Sequence, residues 1–494
     1  MTFTLQPQDK VGDAEVNLGL RMLLFDGVCS QVMGILTGGA FLVAFALLLG
    51  ASDLTVGVLA ALGPLTQMLQ IPAIYLVERT GHRKALVVWC AFLGRLFFFL
   101  AAALPWLAPE PLRVPLLIFA LLMYFGLGTV SGLSWSSWMR DLIPDAMRGR
   151  YMSKRMALTT AVAAIVGLLA GIGVDLYKGA FSEIGIYSIY MALGGVIGLL
   201  GTYFLGSTPE PRMVRNPNPN LLATVAQPFK DQNFRKLLIF LGSWSFAVNL
   251  AAPFFTVYML RRLHYDMLLI VVLAVLSQLV HVLFVRLWGK LADRFSYKSV
   301  LVDAGPLFIL VIALWPFTTM PEVWAFTLPL LIMIHVLSGV STAGVQLCTE
   351  NIAAKLSPRG EATSYLAANA LVAGVMATIA PILGGLIAMY FADKELKVSL
   401  QWISMATGES WELPTFDLRG LDFLFLLSFV FGLYALHRLL AVREDGDVEK
   451  GVVTAEFRAE VNKAVRSVSN VAGLRDMFAF PYNRLLDAAA KRKS

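Results

Sequence analysis

Charged side chains are scarce in this sequence. Of its 494 residues only 15% are Asp, Glu, Lys or Arg, whereas an ordinary soluble domain carries about 25%. Hydrophobic residues make up 57% of the chain, and the mean hydropathy is +0.70. This small number of charges cannot cover the surface of a water-soluble protein of this length. We therefore expect most of the chain to lie in lipid.

Residues that commonly carry chemistry are also rare. The three cysteines, Cys29, Cys90 and Cys348, fall in or beside apolar runs without CxxC spacing or a neighbouring His cluster, which favours small packing residues. The sequence contains no metal-ligand spacing, no nucleotide-binding loop and no nucleophile elbow. We therefore predict no enzyme activity, no cofactor and no bound metal, and we do not expect ATP-driven transport by this chain alone.

Long apolar runs dominate what is present. A membrane-spanning helix needs about 20 consecutive apolar residues, and the backbone in lipid must satisfy its own hydrogen bonds, which favours helices. Twelve such runs predict an all-α polytopic membrane protein with twelve transmembrane helices. The runs cover about 25–50, 54–77, 85–107, 112–139, 155–177, 184–206, 236–260, 267–288, 299–319, 322–349, 362–391 and 420–441.

The distribution of basic residues predicts the orientation in the membrane. Loops on the face that would hold both termini carry most of the Lys and Arg residues, and such loops stay on the cytoplasmic side. We expect both termini to be cytoplasmic, in a bacterial-type inner (plasma) membrane. The net charge of +7 and the pI of 9.2 reflect this bias, so a nucleic-acid partner is not predicted.

The chain reads as two similar halves joined by a linker. Glu78-Arg79 corresponds to Asp293-Arg294 and Arg148-Gly149 to Arg359-Gly360, at nearly constant offsets. A segment rich in Pro and Asn lies between the halves. Because proline cannot continue a helix, this segment is predicted to be an extended linker. The predicted division is a cytoplasmic segment 1–24, a six-helix bundle 25–206, a cytoplasmic linker 207–235, a second six-helix bundle 236–441 and a cytoplasmic tail 442–494.

The helix count, the two basic loop motifs at residues 78–84 and 289–298, and the Arg-Gly pairs resemble the major facilitator superfamily. The loop motifs depart from the family pattern at Ile74, Glu78 and Ser296. The resemblance implies two pseudo-symmetric bundles, a secondary active transporter with alternating access, and a gate on the cytoplasmic side. The gate residues it implies are Glu78, Arg79, Gly81, Arg83, Lys84, Arg140, Gly289, Asp293, Arg294, Glu350 and Arg359.

Charge pairing would hold this gate shut. A carboxylate at the end of a helix can accept charge-assisted hydrogen bonds from a basic partner and from a neighbouring helix N-terminus. We predict that Glu78 pairs with Arg140, and that Asp293 forms a network with Glu350 or Arg359. The alternative is that these charges only set the membrane topology and lie in solvent.

Polar residues inside the apolar runs are the candidates for solute binding or ion coupling. In the family, helices 1, 4, 7 and 10 line the cavity, and a charge at the bilayer centre tends to face a cavity or a partner. The alternatives are helix packing for the hydroxyl, amide and histidine side chains, an interface anchor for tryptophan, and structural pairing for Arg95. The candidates are Asp26, Arg95, Ser134, Trp135, Asn249, His281, His335 and Gln346.

We therefore predict a transporter of a small organic solute, coupled to a proton or another ion. The sparse charge suits a neutral, amphipathic or singly charged solute. A facilitative uniporter, or a membrane receptor or scaffold that retains the fold, remains open. The expected partners are the solute, membrane lipid and a coupling proton or cation, and the protein is expected to be a monomer.

Two segments outside the apolar runs have patterns of their own. In the tail, Val453, Phe457 and Val461 begin an amphipathic stripe that could lie on the membrane or dock beneath the bundle. The longest external loop, 393–420, carries Trp402 and Trp411, which could cap the exit or rest at the membrane interface.

Overall fold

The predicted all-α polytopic fold is confirmed. The structure, a computed structural model, describes residues 5–9, 11–179, 182–213, 227–319, 323–358, 361–405, 410–448 and 451–469. Within these ranges, eleven helices are long and apolar enough to cross a membrane, and one bent helix pair brings the number to twelve.

We number the membrane-crossing segments as spans 1 to 12, and three of these spans consist of two helices each. The elements are α1 (Asp13–Thr37) and α2 (Gly39–Leu48) in span 1, α3 (Asp53–Gln67) and α4 (Gln70–Thr80) in span 2, α5 (Arg83–Leu107) in span 3, α6 (Glu110–Leu142) in span 4, α7 (Asp145–Tyr177) in span 5, α8 (Glu183–Gly206) in span 6, α9 (Gln232–Ala251) and α10 (Phe254–Arg261) in span 7, α11 (Met267–Arg294) in span 8, α12 (Tyr297–Leu314) in span 9, α13 (Thr327–Lys355) in span 10, α14 (Ala362–Phe391) in span 11, α15 (Leu421–Leu439) in span 12, and α16 (Val452–Ser469) after it.

One feature departs from an all-helical chain. Between spans 11 and 12, strands β1 (Glu395–Ile403) and β2 (Ser410–Arg419) form an antiparallel hairpin, where the sequence predicted an external loop. We call the membrane face with this hairpin the hairpin face. The opposite face, which holds the start of α1 and the chain between spans 6 and 7, is the linker face.

Two broken helices meet at the middle of the molecule. Span 1 breaks at Gly38, whose backbone is extended, and Gly39 follows with a φ of 52° that favours glycine. Span 7 breaks at Ala252 and Pro253, since proline cannot donate the helical hydrogen bond. Both breaks line one cavity of about 470 Å³ between the halves. Irregular backbone at membrane depth is tolerated where it lines such a cavity.

The two halves meet most closely towards the hairpin face. There α3 packs along span 11, and span 5 packs on span 8. A Cβ atom on Gly57 would lie 2.1 Å from the carbonyl oxygen of Pro381, and one on Gly171 would lie 3.1 Å from the Cα atom of Leu268. Span 2 then bends by 45°, and α4 packs on span 4 of its own half. Small residues thus let the halves touch on one side of the membrane.

The start of the tail docks beneath the second half. The Phe457 ring stacks on Trp288 of span 8 with ring centroids 4.4 Å apart, and Val453 is buried. Arg294 at the end of span 8 forms an ion pair with Glu456. Docking, rather than lying on the membrane, is therefore confirmed for this part of the tail.

We expect Phe457→Ala to lower the thermal stability of the purified protein, because it removes a ring that packs on the core. The expected loss is on the order of 2 kcal/mol, seen as a lower Tm in a thermal unfolding scan. Arg458→Ala, at the exposed neighbouring position, is the matched control and should leave the Tm unchanged. Equal Tm values for both variants would contradict the docking.

Candidate functional site

A buried carboxylate anchors the basic loop between spans 2 and 3. Glu210, which follows span 6, has 1% of its surface exposed. Its Oε1 atom accepts a hydrogen bond of 2.8 Å from the backbone N–H of Arg83, at the N-terminus of span 3. The Arg83 guanidinium is also buried; it forms an ion pair with Asp141 of span 4 and donates to the carbonyl of Pro211 at 2.8 Å. Spans 3, 4 and 6 are thus tied together at the linker face.

The electrostatics of Glu210 follow from this burial. Desolvation raises the pKa of the Glu210 carboxyl above its usual value, while the backbone N–H groups and the guanidinium of Arg83 oppose that shift. Arg83 and Lys84 were among the predicted gate residues, but Glu210 and Asp141 were not. The one available signal was an acidic residue between two prolines, Pro209 and Pro211.

The second half repeats this arrangement. The Glu444 carboxylate, which follows span 12 and is fully buried, accepts hydrogen bonds from the backbone N–H groups of Tyr297 and Lys298 at 3.1 and 2.7 Å. Its Oε1 atom also lies 2.8 Å from Nζ of Lys355. Lys298 forms an ion pair with Asp447. In both halves, a carboxylate after the sixth span therefore caps the N-terminus of the third span.

The other predicted gate residues in the first half lie near the linker face. Glu78 is half-buried in the last turn of α4, Arg79 and Arg140 are exposed, and Gly81 ends the helix with a φ of 64°. The backbone carbonyl of Arg140 accepts a hydrogen bond of 2.7 Å from Arg148. The pairing of Glu78 with Arg140 stays a prediction.

In the second half, the described gate residues Asp293 and Glu350 do not pair with each other, and the predicted network around Asp293 stays a prediction. Asp293 is exposed and makes no ion pair with any residue that the structure describes. Glu350 accepts a hydrogen bond of 2.9 Å from Gln346 one turn earlier on the same helix, and Gly289 precedes Asp293 in span 8. Arg359 lies outside the described residues.

Hydrogen bonds between the halves lie at the opposite face. Arg261 of span 7 forms an ion pair of 2.7 Å with Asp53 at the start of span 2, and it donates to the carbonyl of Ala51 at 3.1 Å. The Asp175 carboxylate of span 5 accepts from the backbone N–H groups of Met267 and Leu268, at 3.2 and 2.9 Å. In the described part of the chain, every hydrogen bond between the halves belongs to this face.

Three of the predicted solute or coupling residues come together. Asp26 of span 1, Arg95 of span 3 and Trp135 of span 4 line one cavity of about 290 Å³ in the first half. Nη2 of Arg95 lies 3.8 Å from the Asp26 carboxylate and donates to Ser30 at 3.0 Å. Arg155 of span 5, which is not among the predicted residues, lies 3.8 Å from the other carboxylate oxygen.

Glycines leave space for the guanidinium groups of Arg95 and Arg155. A Cβ atom on Gly27 would lie 2.8 Å from Nε of Arg155, and one on Gly201 would lie 3.2 Å from Nη1 of Arg95. Gly198 of span 6 offers its carbonyl oxygen to Arg95 as an acceptor. Small residues at one face of span 6 were the sequence signal that could have pointed to this site.

Most of the remaining candidates form hydrogen bonds within their own helices. Ser134 donates to the carbonyl of Val130 at 2.8 Å, and Asn249 donates to the carbonyl of Ser245 at the same distance. The ring of His335 lies 2.8 Å from the carbonyl of Leu331. His281 is half-buried on span 8. These residues do not line the cavity around Asp26.

The comparisons with known proteins agree with this architecture. The family model of the Major Facilitator Superfamily matches residues 27–381, more than half of the chain, so the chain belongs to that superfamily of membrane transporters. The predicted family, fold class and transporter character are thereby confirmed. A search of curated proteins gives no significant match.

Solved structures share the fold at low sequence identity. A point mutant of the nucleoside transporter NupG has a TM-score of 0.63 and 13% identity, covering 87% of this chain and all of its own. A bacterial homologue of the lysosomal transporter Spinster, inward-facing and unoccupied, has a TM-score of 0.63 and 13% identity over 88% of this chain and 98% of its own. The D-xylose–proton symporter has a TM-score of 0.59 and 15% identity over 88% and 99%.

We expect Glu210→Gln to destabilise the protein, because it removes the negative charge that faces a fully buried guanidinium. Breaking a buried pair costs about 3 to 5 kcal/mol, and Asp141 still faces Arg83, so we expect a loss near the lower value. Thermal unfolding in detergent measures it. Arg79→Gln, at an exposed position in the last turn of α4, is the control. A loss no larger than that of the control would contradict the anchoring role.

Proposed function

We propose that the chain is a secondary active transporter that moves a small organic solute by alternating access between its two halves. The observation that carries this proposal is the one-sided contact: the described hydrogen bonds between the halves lie at the hairpin face. The broken helices of spans 1 and 7 line a cavity between the halves, as expected for carriers built from repeats.

The conformation fits one end of such a cycle. With the hairpin face bonded shut and Asp293 exposed and unpaired among the described residues, the halves are arranged to open towards the linker face. In the opposite state, the predicted gate residues around Glu78 and Asp293 would join the halves there instead. We propose that the linker face is cytoplasmic, in a bacterial-type inner membrane.

A coupling ion belongs to the proposal. Asp26 is a buried carboxylate beside two guanidinium groups in the first half, and a carboxylate that faces a cavity can carry a proton through a transport cycle. Two solved structures with a similar fold, a nucleoside transporter and a D-xylose–proton symporter, support a small organic solute. Uptake into proteoliposomes with and without an inward proton gradient tests transport and coupling together.

Within this proposal, Asp53→Asn should shift the protein towards closure at the linker face. The variant loses the ion pair with Arg261, which is partly exposed and contributes on the order of 1 kcal/mol. That energy corresponds to a population change of about fivefold. Pulsed electron paramagnetic resonance measures it, with spin labels at Ser153→Cys and Ala354→Cys, exposed positions at the linker ends of spans 5 and 10.

The expected result is a larger fraction of short distances between the two labels. Glu110→Gln is the matched control, because its ion pair with Arg113 also lies at the hairpin face but stays within one half. If Asp53→Asn and the control give the same distance distribution, the ion pair does not bias the two states and the proposed switch is refuted.

A further inference from the structure

The charges around the first-half cavity do not balance. Arg95 and Arg155 contribute two positive charges, and Asp26, with both of its oxygens 3.8 Å from a guanidinium nitrogen, contributes one negative charge. The side chains of Arg95 and Asp26 are nearly fully buried, and that of Arg155 is 24% exposed. When Asp26 is ionised, the cavity therefore carries one surplus positive charge, whereas buried charges are normally paired.

The two guanidinium groups differ in how many of their donors are used. Arg95 donates to the carbonyl of Gly198, to Oγ1 of Thr202 at 2.7 Å and to Ser30 at 3.0 Å. Arg155 makes one long hydrogen bond, 3.5 Å from Nε to the carbonyl of Leu23. Arg95 is therefore a structural residue, whereas Arg155 keeps free donors at the cavity.

The ring of Trp135 lies beside the guanidinium group of Arg155. The Arg155 guanidinium carbon lies 4.9 Å from the centroid of the Trp135 ring, within the range of a cation–π contact. The indole Nε1–H of Trp135 is buried and has no hydrogen-bond partner among the described residues. Two donor groups beside one cavity thus lack acceptors, and Gly27 leaves room for Arg155 to stay there.

We propose that this cavity binds the carboxylate of a small organic monoanion, with Arg155 as its main partner and Trp135 beside it. Guanidinium binds a carboxylate through two parallel hydrogen bonds. One surplus charge matches one carboxylate, whereas a dianion would leave a buried negative charge unpaired. A volume of about 290 Å³ is at the small end of ligand pockets. This inference rests on the proposed transport function, whose substrate class it names.

The test measures ligand-induced thermal stabilisation of the full-length protein in lipid nanodiscs. The probes are monocarboxylates, each paired with its neutral primary amide: benzoate with benzamide, lactate with lactamide and hexanoate with hexanamide. We expect at least one carboxylate to raise the Tm while its amide does not, since a ligand that binds the folded state stabilises it by mass action. If no carboxylate raises the Tm, or each amide matches its carboxylate, the proposal is wrong.

Variants locate the binding group. Arg155→Gln should weaken the Kd of the stabilising carboxylate at least tenfold, and Arg155→Lys should weaken it less, because the charge remains. Gly27→Ala should also weaken binding, since the new Cβ displaces the guanidinium. Arg150→Gln, at an exposed position of the same helix, should have no effect. An unchanged Kd in Arg155→Gln would overturn the assignment. If that variant does not fold, the comparison of carboxylates with amides on the unsubstituted protein decides whether the cavity binds a carboxylate.

The outcomes separate this inference from the transport proposal. Carboxylate binding that depends on Arg155, without uptake into proteoliposomes, would support the site and refute the transporter. Uptake of a neutral solute with no carboxylate binding would refute the site and leave the transporter intact.

A separate observation concerns the hairpin. Its cross-strand register pairs Leu396 with Leu418, Val398 with Phe416, Leu400 with Leu413 and Trp402 with Trp411. Because strand side chains alternate between faces, Leu396, Val398, Leu400 and Trp402 share one face of the hairpin with Trp411 and Leu418, while charged residues such as Lys397 and Asp417 occupy the other. The irregularity after Val398 keeps this alternation in phase.

Where the structure describes its side chains, this apolar face is exposed in the single chain except at Leu418, which is buried. Leu400 is 63% exposed, and Trp402 and Trp411 are 76% and 73% exposed. An isolated two-stranded hairpin is only marginally stable in water, so this face needs a partner. Span 11 ends at Phe391, and β1 begins four residues later. The exposed side chains of Met389 and Tyr390, in the last turn of span 11, continue the lipid-facing surface of the helices.

We also infer that the hairpin lies on the bilayer with its apolar face in the lipid interface. The surface of span 11 runs directly into β1, and tryptophan favours the depth of the lipid headgroups. Lipid contact therefore follows from the continuity of one apolar surface across the end of the helix.

Spin labels at adjacent positions test the depth. In a variant with the native cysteines replaced, Leu400→Cys and Ser399→Cys place a label on opposite faces of β1. In bilayers, the label at 400 should be accessible to oxygen and shielded from a water-soluble nickel relaxant, and the label at 399 should show the reverse. Equal nickel accessibility at both positions, or shielding of position 400 from both relaxants, which indicates protein contact, would overturn the inference.

Discussion

A charge that is buried in a protein surrounded by lipid must find a partner, because water cannot reach it. This constraint shapes both ends of each bundle. Glu210 and Glu444 are buried at the linker face and cap the third span of their own half. At the hairpin face, Asp175 caps span 8 across the boundary between the halves. The same physical device therefore stabilises each half and also joins the halves on one side.

The distinction between bonds within a half and bonds between halves explains how the molecule can move. The contacts of Glu210 and Glu444 stay inside their bundles, so they can persist while the bundles rock as rigid bodies. The ion pair of Asp53 with Arg261 is partly exposed and crosses the boundary, so it is weak enough to break. Glycines at positions 57 and 171 allow close packing at the same boundary without strong polar bonds.

The sequence predicted the features that depend on local pattern. The apolar runs gave the spans, and the mid-membrane position of Arg95 indicated a cavity or a carboxylate partner. It did not predict Glu210 or Glu444, because each acts on a helix start more than 120 residues away in the chain. Arg155 was not predicted as a site residue, because it begins a predicted apolar run and only the tertiary fold brings it to Asp26.

The hairpin shows a pattern that was present but was not interpreted. Residues 395–402 alternate strictly between polar and apolar side chains, the period of a half-buried strand. Its position between two spans favoured a loop, and the pairing with β2 includes an irregularity that a strict count of residues misses.

Alternating access requires that the central cavity open to each side of the membrane in turn. A single cysteine at Thr256, which lines the cavity between the halves, can be labelled with a membrane-impermeant thiol reagent from either side in oriented proteoliposomes. We predict fast labelling from the linker face and slower but measurable labelling from the hairpin face. Labelling from the hairpin face alone, or from neither side, would contradict alternating access.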